Sequence, residues 1–403
     1  MGKKFDEALN KLLSVTIVDH VSNKENINAI KTISFGEMEL VVKTKEDHKE
    51  YLEALKTMFK CIDDKYISYS FFENRICKLI VTGQIETIKA LPKEIKNLLL
   101  SNYTFIRPMF GLALKGNSQI DKKKYTFISK ENIDEYLTER YGKNDIFNMC
   151  FKQSIVEHLC YVEITCHAKD LDKAREIADV EYNQLANVLR YMHGTNNKDF
   201  GLGVSDFRAD IIGGMLCIIS DGRISTVTNA PISTPIIPIY LDKDDWFFSK
   251  KNGNEQIWTI LNSDKQTKME NRIIKAIEWI GMSINEKRQS TAFIQCLFAI
   301  ECLLQDQENF ITKSISAQIG EYAAFIVGFD YESRCEIEKL FKDLYSIRSK
   351  IAHGTYISCL DEDLNKALFL SKQIVMNILL KPKFYRVKDI EDLRNRITEL
   401  RYT

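Results

Sequence analysis

From Gln266 to Leu380 the chain repeats one pattern five times: apolar residues three and four positions apart, short polar connections, and no proline before Pro382. Met269 to Ile284 carries Ile273, Ile277, Ile280 and Ile284, and Ser290 to Leu304 carries Phe293, Leu297, Ile300 and Leu304. Ile311 to Val327 follows with Ile315, Ile319, Tyr322 and Ile326, closed by Gly328, and then come Glu332 to His353 and Leu364 to Leu380. Each stripe covers one side of a helix and must be buried against another. Five such helices with short connections predict a compact bundle over 266–403.

The 262 residues before it have a different texture. Strand-like runs are expected at Ser14 to Val18, Ile30 to Lys43 with a turn or bulge at Gly36, Tyr66 to Thr82 broken near Asn74, and Thr104 to Leu114. Further strands follow at Leu216 to Ile219, Ile224 to Val227 and Ile236 to Leu241. Helices are expected near 46–59 and 144–158, and a strand at Tyr161 to Cys166 leads into one long helix. That helix opens on Asp170 as N-cap, carries Ala174, Ile177, Tyr182, Leu185 and Leu189 at helical spacing, and stops at Gly194. The expected class is α+β: a β-rich N-terminal domain over 1–262 that senses or positions something, followed by an all-α bundle.

A chain of 403 residues with 45% hydrophobic and 28% charged residues is that of a folded protein, not a disordered one. Basic and acidic residues both number 56, so any nucleic-acid site must be local. The opening MGKKFDEALNKLL lacks the apolar core of a signal peptide, and the apolar stretches around 211–219 and 232–241 are too short to span a bilayer. The expectation is a cytoplasmic protein with no membrane partner.

His158, Cys160, Cys166 and His167 offer four potential zinc ligands, but zinc sites pair ligands so that one turn presents both. Strand alternation puts Cys160 and Cys166 on one face yet too far apart, so buried thiols are the expected reading. DFG at 199–201 and GLG at 201–203 lack the companions that a kinase or dinucleotide site requires. No metal or other cofactor is expected.

The fourth C-terminal helix ends in LYSIRSKIAHG, Leu344 to Gly354. Leu340, Leu344, Ile347 and Ile351 form its expected core stripe, with Arg348 at the flank and Ser349 and His353 nearly opposite. Arg348 is the only Arg in the chain followed by a His after four to six residues. That spacing alone is a weak signal. Its context, Ser after the Arg, Gly after the His, Tyr345 just upstream and Glu301 inside the apolar second helix FAIECLL, resembles the HEPN superfamily and within it the ApeA-like branch. The resemblance covers about a third of the chain.

The resemblance implies a homodimeric endoribonuclease that cleaves RNA, tRNA among its candidate substrates, in bacterial defence against phage, with a phage-derived trigger sensed by the N-terminal domain. The chemistry is coherent. Metal-free RNA cleavage uses the 2′-hydroxyl as nucleophile, so it needs a group that exchanges a proton near neutral pH and a permanent cation for the phosphate. His353 and Arg348 suit those roles. Ser349, one turn before His353, is placed to orient its imidazole, Tyr345 to stack on a base or pack at a dimer seam, and Glu301 to pair with Arg348. Lys350 and the segment KPKFYRVK, with Lys381, Lys383 and Arg386, are candidate backbone contacts, against a solvated exit from the bundle. The rival readings are a bundle without catalysis that dimerises or binds RNA, and a regulatory or scaffold protein whose N-terminal domain does the work.

Overall fold

The computed structural model describes residues 2–22, 29–116, 118–143, 160–194, 203–204, 215–220, 223–228, 239–242, 245–306, 314–354 and 359–402. The expected helix at 144–158, with His158, and the DFG and GLG motifs lie wholly or largely outside them. The chain is α+β and divides into two compact units, one of Met1–Thr104 with Thr165–Asp179 and one of Phe105–Ile164 with Val180–Thr403. The change of texture at 262–266 falls inside the second unit.

The first unit contains α1 (Gly2–Ser14), β1 (Ile17–His20), β2 (Lys31–Phe35), β3 (Met38–Val42), α2 (Lys45–Ile62), α3 (Tyr69–Val81) and α4 (Ile85–Asn97). Its three strands pair antiparallel in the order β1-β3-β2. Gly36, at φ +68°, makes the β2–β3 turn in the left-handed region. Central β3 buries Leu40, Val41 and Val42 completely, each contributing about 1.5–3 kcal/mol. Among the described residues of this unit, four helices accompany the three-stranded sheet.

The expected strand at Tyr66 to Thr82 is the helix α3. Ser68 caps it, its hydroxyl accepting from the Phe71 N–H, and Phe72, Ile76 and Leu79 are buried at spacings of four and three. The aromatic and β-branched residues that suggest a strand sit instead on a helix packed into a core. Likewise Ser14 closes α1, and the strand expected there begins at Ile17. Asp170 is the N-cap of the long helix: its carboxylate accepts from Lys173 N–H at 2.9 Å and from the Ser68 hydroxyl at 2.7 Å.

The second unit holds β4 (Ser101–Phe110, continuing from the first unit), β5 (Leu112–Ala113), β6 (Gln119–Lys122), β7 (Tyr125–Ser129), α5 (Ile133–Tyr141), β8 (Cys160–Ala168) and α6 (Leu171–His193), the last two running through the division. After them come β9 (Gly203–Val204), β10 (Met215–Ser220), β11 (Arg223–Thr228) and β12 (Ile239–Tyr240). The main sheet runs β11-β10-β4-β8-β7-β6, with β9 beside β4, and β5 pairs parallel with β12. The helices are α7 (Asn254–Leu261), α8 (Lys268–Asn285), α9 (Gln289–Leu304), α10 (Ile315–Val327), α11 (Tyr331–Ala352), α12 (Asp361–Leu380) and α13 (Ile390–Arg401).

Helices α8 to α12 occupy the five stretches that periodicity marks. Ile273, Ile277 and Ile280 of α8, all four stripe residues of α9, and Ile319, Tyr322 and Ile326 of α10 are buried. Helix α13, after the KPKFYRVK segment, is an addition to the expected five. Gly281 of α8 lies against α6, where a Cβ would come within 2.2 Å of the Asn187 carbonyl oxygen. Among the described residues no helix is long and apolar enough to cross a membrane.

Candidate functional site

Helix α11 carries the motif, and its burial is rotated from the expected stripe. Phe341 and Leu344 are its buried residues, while Leu340, Ile347 and Ile351 are only half-buried. At about 100° per residue the buried arc centres some 60° from the expected stripe. Arg348 falls inside that arc, not at its flank.

Arg348 therefore turns toward α9. Its Nε stands 3.4 Å from Glu301 Oε1, with 26% of the Arg348 side chain and 15% of the Glu301 side chain exposed. The guanidinium carbon lies 5.6 Å from the ring centres of both Phe298 and Tyr345, an arrangement favourable to a cation. Tyr345 in turn rests on Phe341, ring centres 5.7 Å apart. Burial raises the Glu301 carboxyl above the usual range, while Arg348 pulls it back down. Burial also raises the Tyr345 phenol, the Glu301 charge adds to this, and Arg348 opposes it. The ion-pair contact runs through Nε, and among the described residues the terminal guanidinium nitrogens have no hydrogen-bond partner.

His353 is the C-cap of α11 and is exposed. Its N–H donates to the Ser349 carbonyl at 3.0 Å, and Gly354, at φ +73°, turns the chain away in the left-handed conformation usual just past a helix. The link from Ser349 to His353 is thus a backbone one, and no side-chain hydrogen bond joins the two among the described residues. Five positions along a helix correspond to about 140° of rotation, so Arg348 faces α9 while the imidazole faces another way.

Lys350, next to the motif, is exposed. Lys381, the C-cap of α12, is committed to the bundle: its Nζ donates to the carbonyls of Ile326 at 2.8 Å and Val327 at 3.4 Å, the last turn of α10. Burial lowers its ammonium pKa, helped by Lys383 and Arg334. Phe384 is buried, which pins the segment, while Lys383 and Arg386 point outward. Arg386 sits at φ +60° with its guanidinium carbon 5.2 Å from the Tyr385 ring centre.

Cys160 and Cys166 are buried in β8, and His167 is exposed, its Nδ1 2.7 Å from Asn102 Oδ1. Among the described residues no cluster of three or more His, Cys, Asp or Glu could hold a metal. Phe298 is the site residue that sequence reasoning misses. Its signal was present, because it precedes Glu301 by three on α9 and so shares its face.

Comparison of the chain with protein-family models, with curated proteins and with solved structures returns no match.

Proposed function

We propose that the chain is a metal-independent endoribonuclease of HEPN type, in which His353 exchanges the proton of the 2′-hydroxyl and Arg348 stabilises charge on the phosphate. The observation that carries this reading is that both groups are uncommitted: the imidazole is exposed at the end of α11, and the guanidinium, though mostly buried, keeps its terminal nitrogens free of partners among the described residues. Glu301, Phe298 and Tyr345 hold the guanidinium in place and act as positioning residues. Lys350, Lys383 and Arg386, all exposed, supply backbone contacts.

The divergence of Arg348 and His353 around one helix favours a site completed by a second copy about a two-fold axis. The half-buried Leu340, Ile347 and Ile351 on the motif helix are apolar surface suited to such a homodimer. A role in phage defence, with tRNA as substrate and a trigger sensed by the N-terminal portion, belongs to the same reading. A second reading is favoured by the Glu301 pair: Arg348 as a purely structural cation in a bundle that dimerises or binds RNA without cutting it.

Incubation of purified protein with tRNA in excess EDTA separates the two. Fragments ending in 2′,3′-cyclic phosphate are the outcome of catalysis, and intact tRNA is the outcome of the second reading.

A further inference from the structure

A cavity of about 380 Å³ opens in the second unit between the end of α6, residues 246–254 and α12. Its size falls within the range of small-molecule sites, roughly 300–1,000 Å³. One face of α12 lines it, with Asn365, Phe369, Gln373 and Met376 at spacings of four, four and three. It shares no residue with the Arg348 and His353 site.

Three features describe what would fit. The first is a cation without a counter-ion among the described residues. Lys372 lines the cavity with its Nζ 5.2 Å from the Tyr191 ring centre, and among the described residues it has no hydrogen-bond or ion-pair partner. Among the described residues no carboxylate lines the cavity. Gly194 keeps space for the ammonium, since a Cβ there would lie 2.5 Å from Nζ. A half-buried ammonium without an anion is costly, and a bound anion removes that cost. Burial lowers the Lys372 pKa, in keeping with an unpaired site.

The second feature is a pair of aromatic side chains left open on the cavity wall. Trp246 is 53% exposed and Phe369 57% exposed. Trp246 is held in place, its indole N–H donating to the Met192 carbonyl at 2.8 Å and its own carbonyl accepting from the amides of Asn252 and Asn254. Fixed, exposed aromatic faces suit a planar ring, and base stacking on such faces is worth about 1–3 kcal/mol. The third feature is the pair of side-chain amides on α12, Asn365 and Gln373, groups that match the hydrogen-bonding edges of a nucleobase.

We infer that this cavity is a binding site for a nucleoside monophosphate, with Lys372 on the phosphate and Trp246 and Phe369 against the base. A single lysine matches one phosphate and not the charge of a triphosphate. The site is independent of ribonuclease activity and is tested by binding alone.

The test is titration of the full chain with each ribonucleoside 5′-monophosphate, followed by tryptophan fluorescence and calorimetry, with inorganic phosphate and the free nucleosides as partial probes. At least one monophosphate is expected to bind and to quench Trp246 emission, each partial probe binding tenfold or more weakly. Lys372→Met weakens binding at least tenfold, and Phe369→Ala, a change at an exposed position that leaves folding intact, weakens it at least threefold. Absence of binding at millimolar concentration, or binding that either variant leaves unchanged, overturns the inference.

Discussion

Arg348 Nε lies 3.4 Å from Glu301 Oε1 across α9 and α11, joining the only Arg of an Arg–four–His spacing to the one carboxylate of the FAIECLL helix. Neither group has a closer charged partner among the described residues, so removing one strands the other in a mostly buried position. Arg348→Ala is expected to destabilise the fold by about 1–2 kcal/mol and Glu301→Gln by less, since an amide needs no counter-charge. In a double-mutant cycle by urea unfolding the combined cost falls short of the sum by about 0.5–1 kcal/mol. Strict additivity would show that the pair does not couple.

The same carboxyl sets a pH dependence. Its folded pKa is raised above the ordinary value of 4.5, so the folded state favours the protonated form. That contribution is present below pH 4.5 and is lost as pH rises through the raised value. Glu301→Gln should therefore gain stability relative to the parent between acidic and neutral pH. Arg348→Ala, which removes the only group among the described residues that pulls the carboxyl down, steepens the loss. Unfolding free energies measured across that range check both signs.

Helix packing makes its own demand at Gly281, where a Cβ would meet the Asn187 backbone oxygen at 2.2 Å. Because backbone cannot give way like a side chain, Gly281→Ala is expected to cost about 1–3 kcal/mol or more in thermal or urea unfolding. An unchanged midpoint would mean that α6 and α8 separate freely.

Much of the second unit was legible because period and fold agree there: stripes at spacings of three and four mark α8 to α12, and Asp170 and Gly194 bracket α6. The first unit was misread where composition and period conflict. Phe71, Phe72, Ile76 and Ile80 suit a strand by residue type, but Ser68 caps them into a helix whose partners lie elsewhere in the chain. At the site, sequence identified Glu301 as a partner for Arg348 but not the rotation of α11, because the buried arc depends on which neighbours cover Phe341. Lys381 looked free in sequence since its acceptors, the carbonyls of Ile326 and Val327, are more than fifty residues away.

That assignment of Lys381 has a test against its neighbour Lys383. Lys381→Met removes donors from the last turn of α10 and is expected to lower stability by about 1 kcal/mol. Lys383→Ala leaves stability within about 0.5 kcal/mol but weakens tRNA binding in a filter assay. The reverse pattern would exchange their roles.

Thiol labelling checks the cores directly. Burial pushes the Cys77 thiol up to about 11 and the Cys296 thiol to about 12, whereas Cys335 is exposed. Maleimide at neutral pH should modify Cys335 in the native protein and reach Cys77 and Cys296 only in denaturant, as read by peptide mass spectrometry.

The most direct measurement is the rate of tRNA cleavage in EDTA by the parent, by His353→Ala and by Arg348→Ala, each first shown by thermal melting to be folded. The account predicts cleavage by the parent and a fall of about 100-fold or more in both variants. Cleavage that survives either substitution, or a folded parent that leaves tRNA intact, would contradict it.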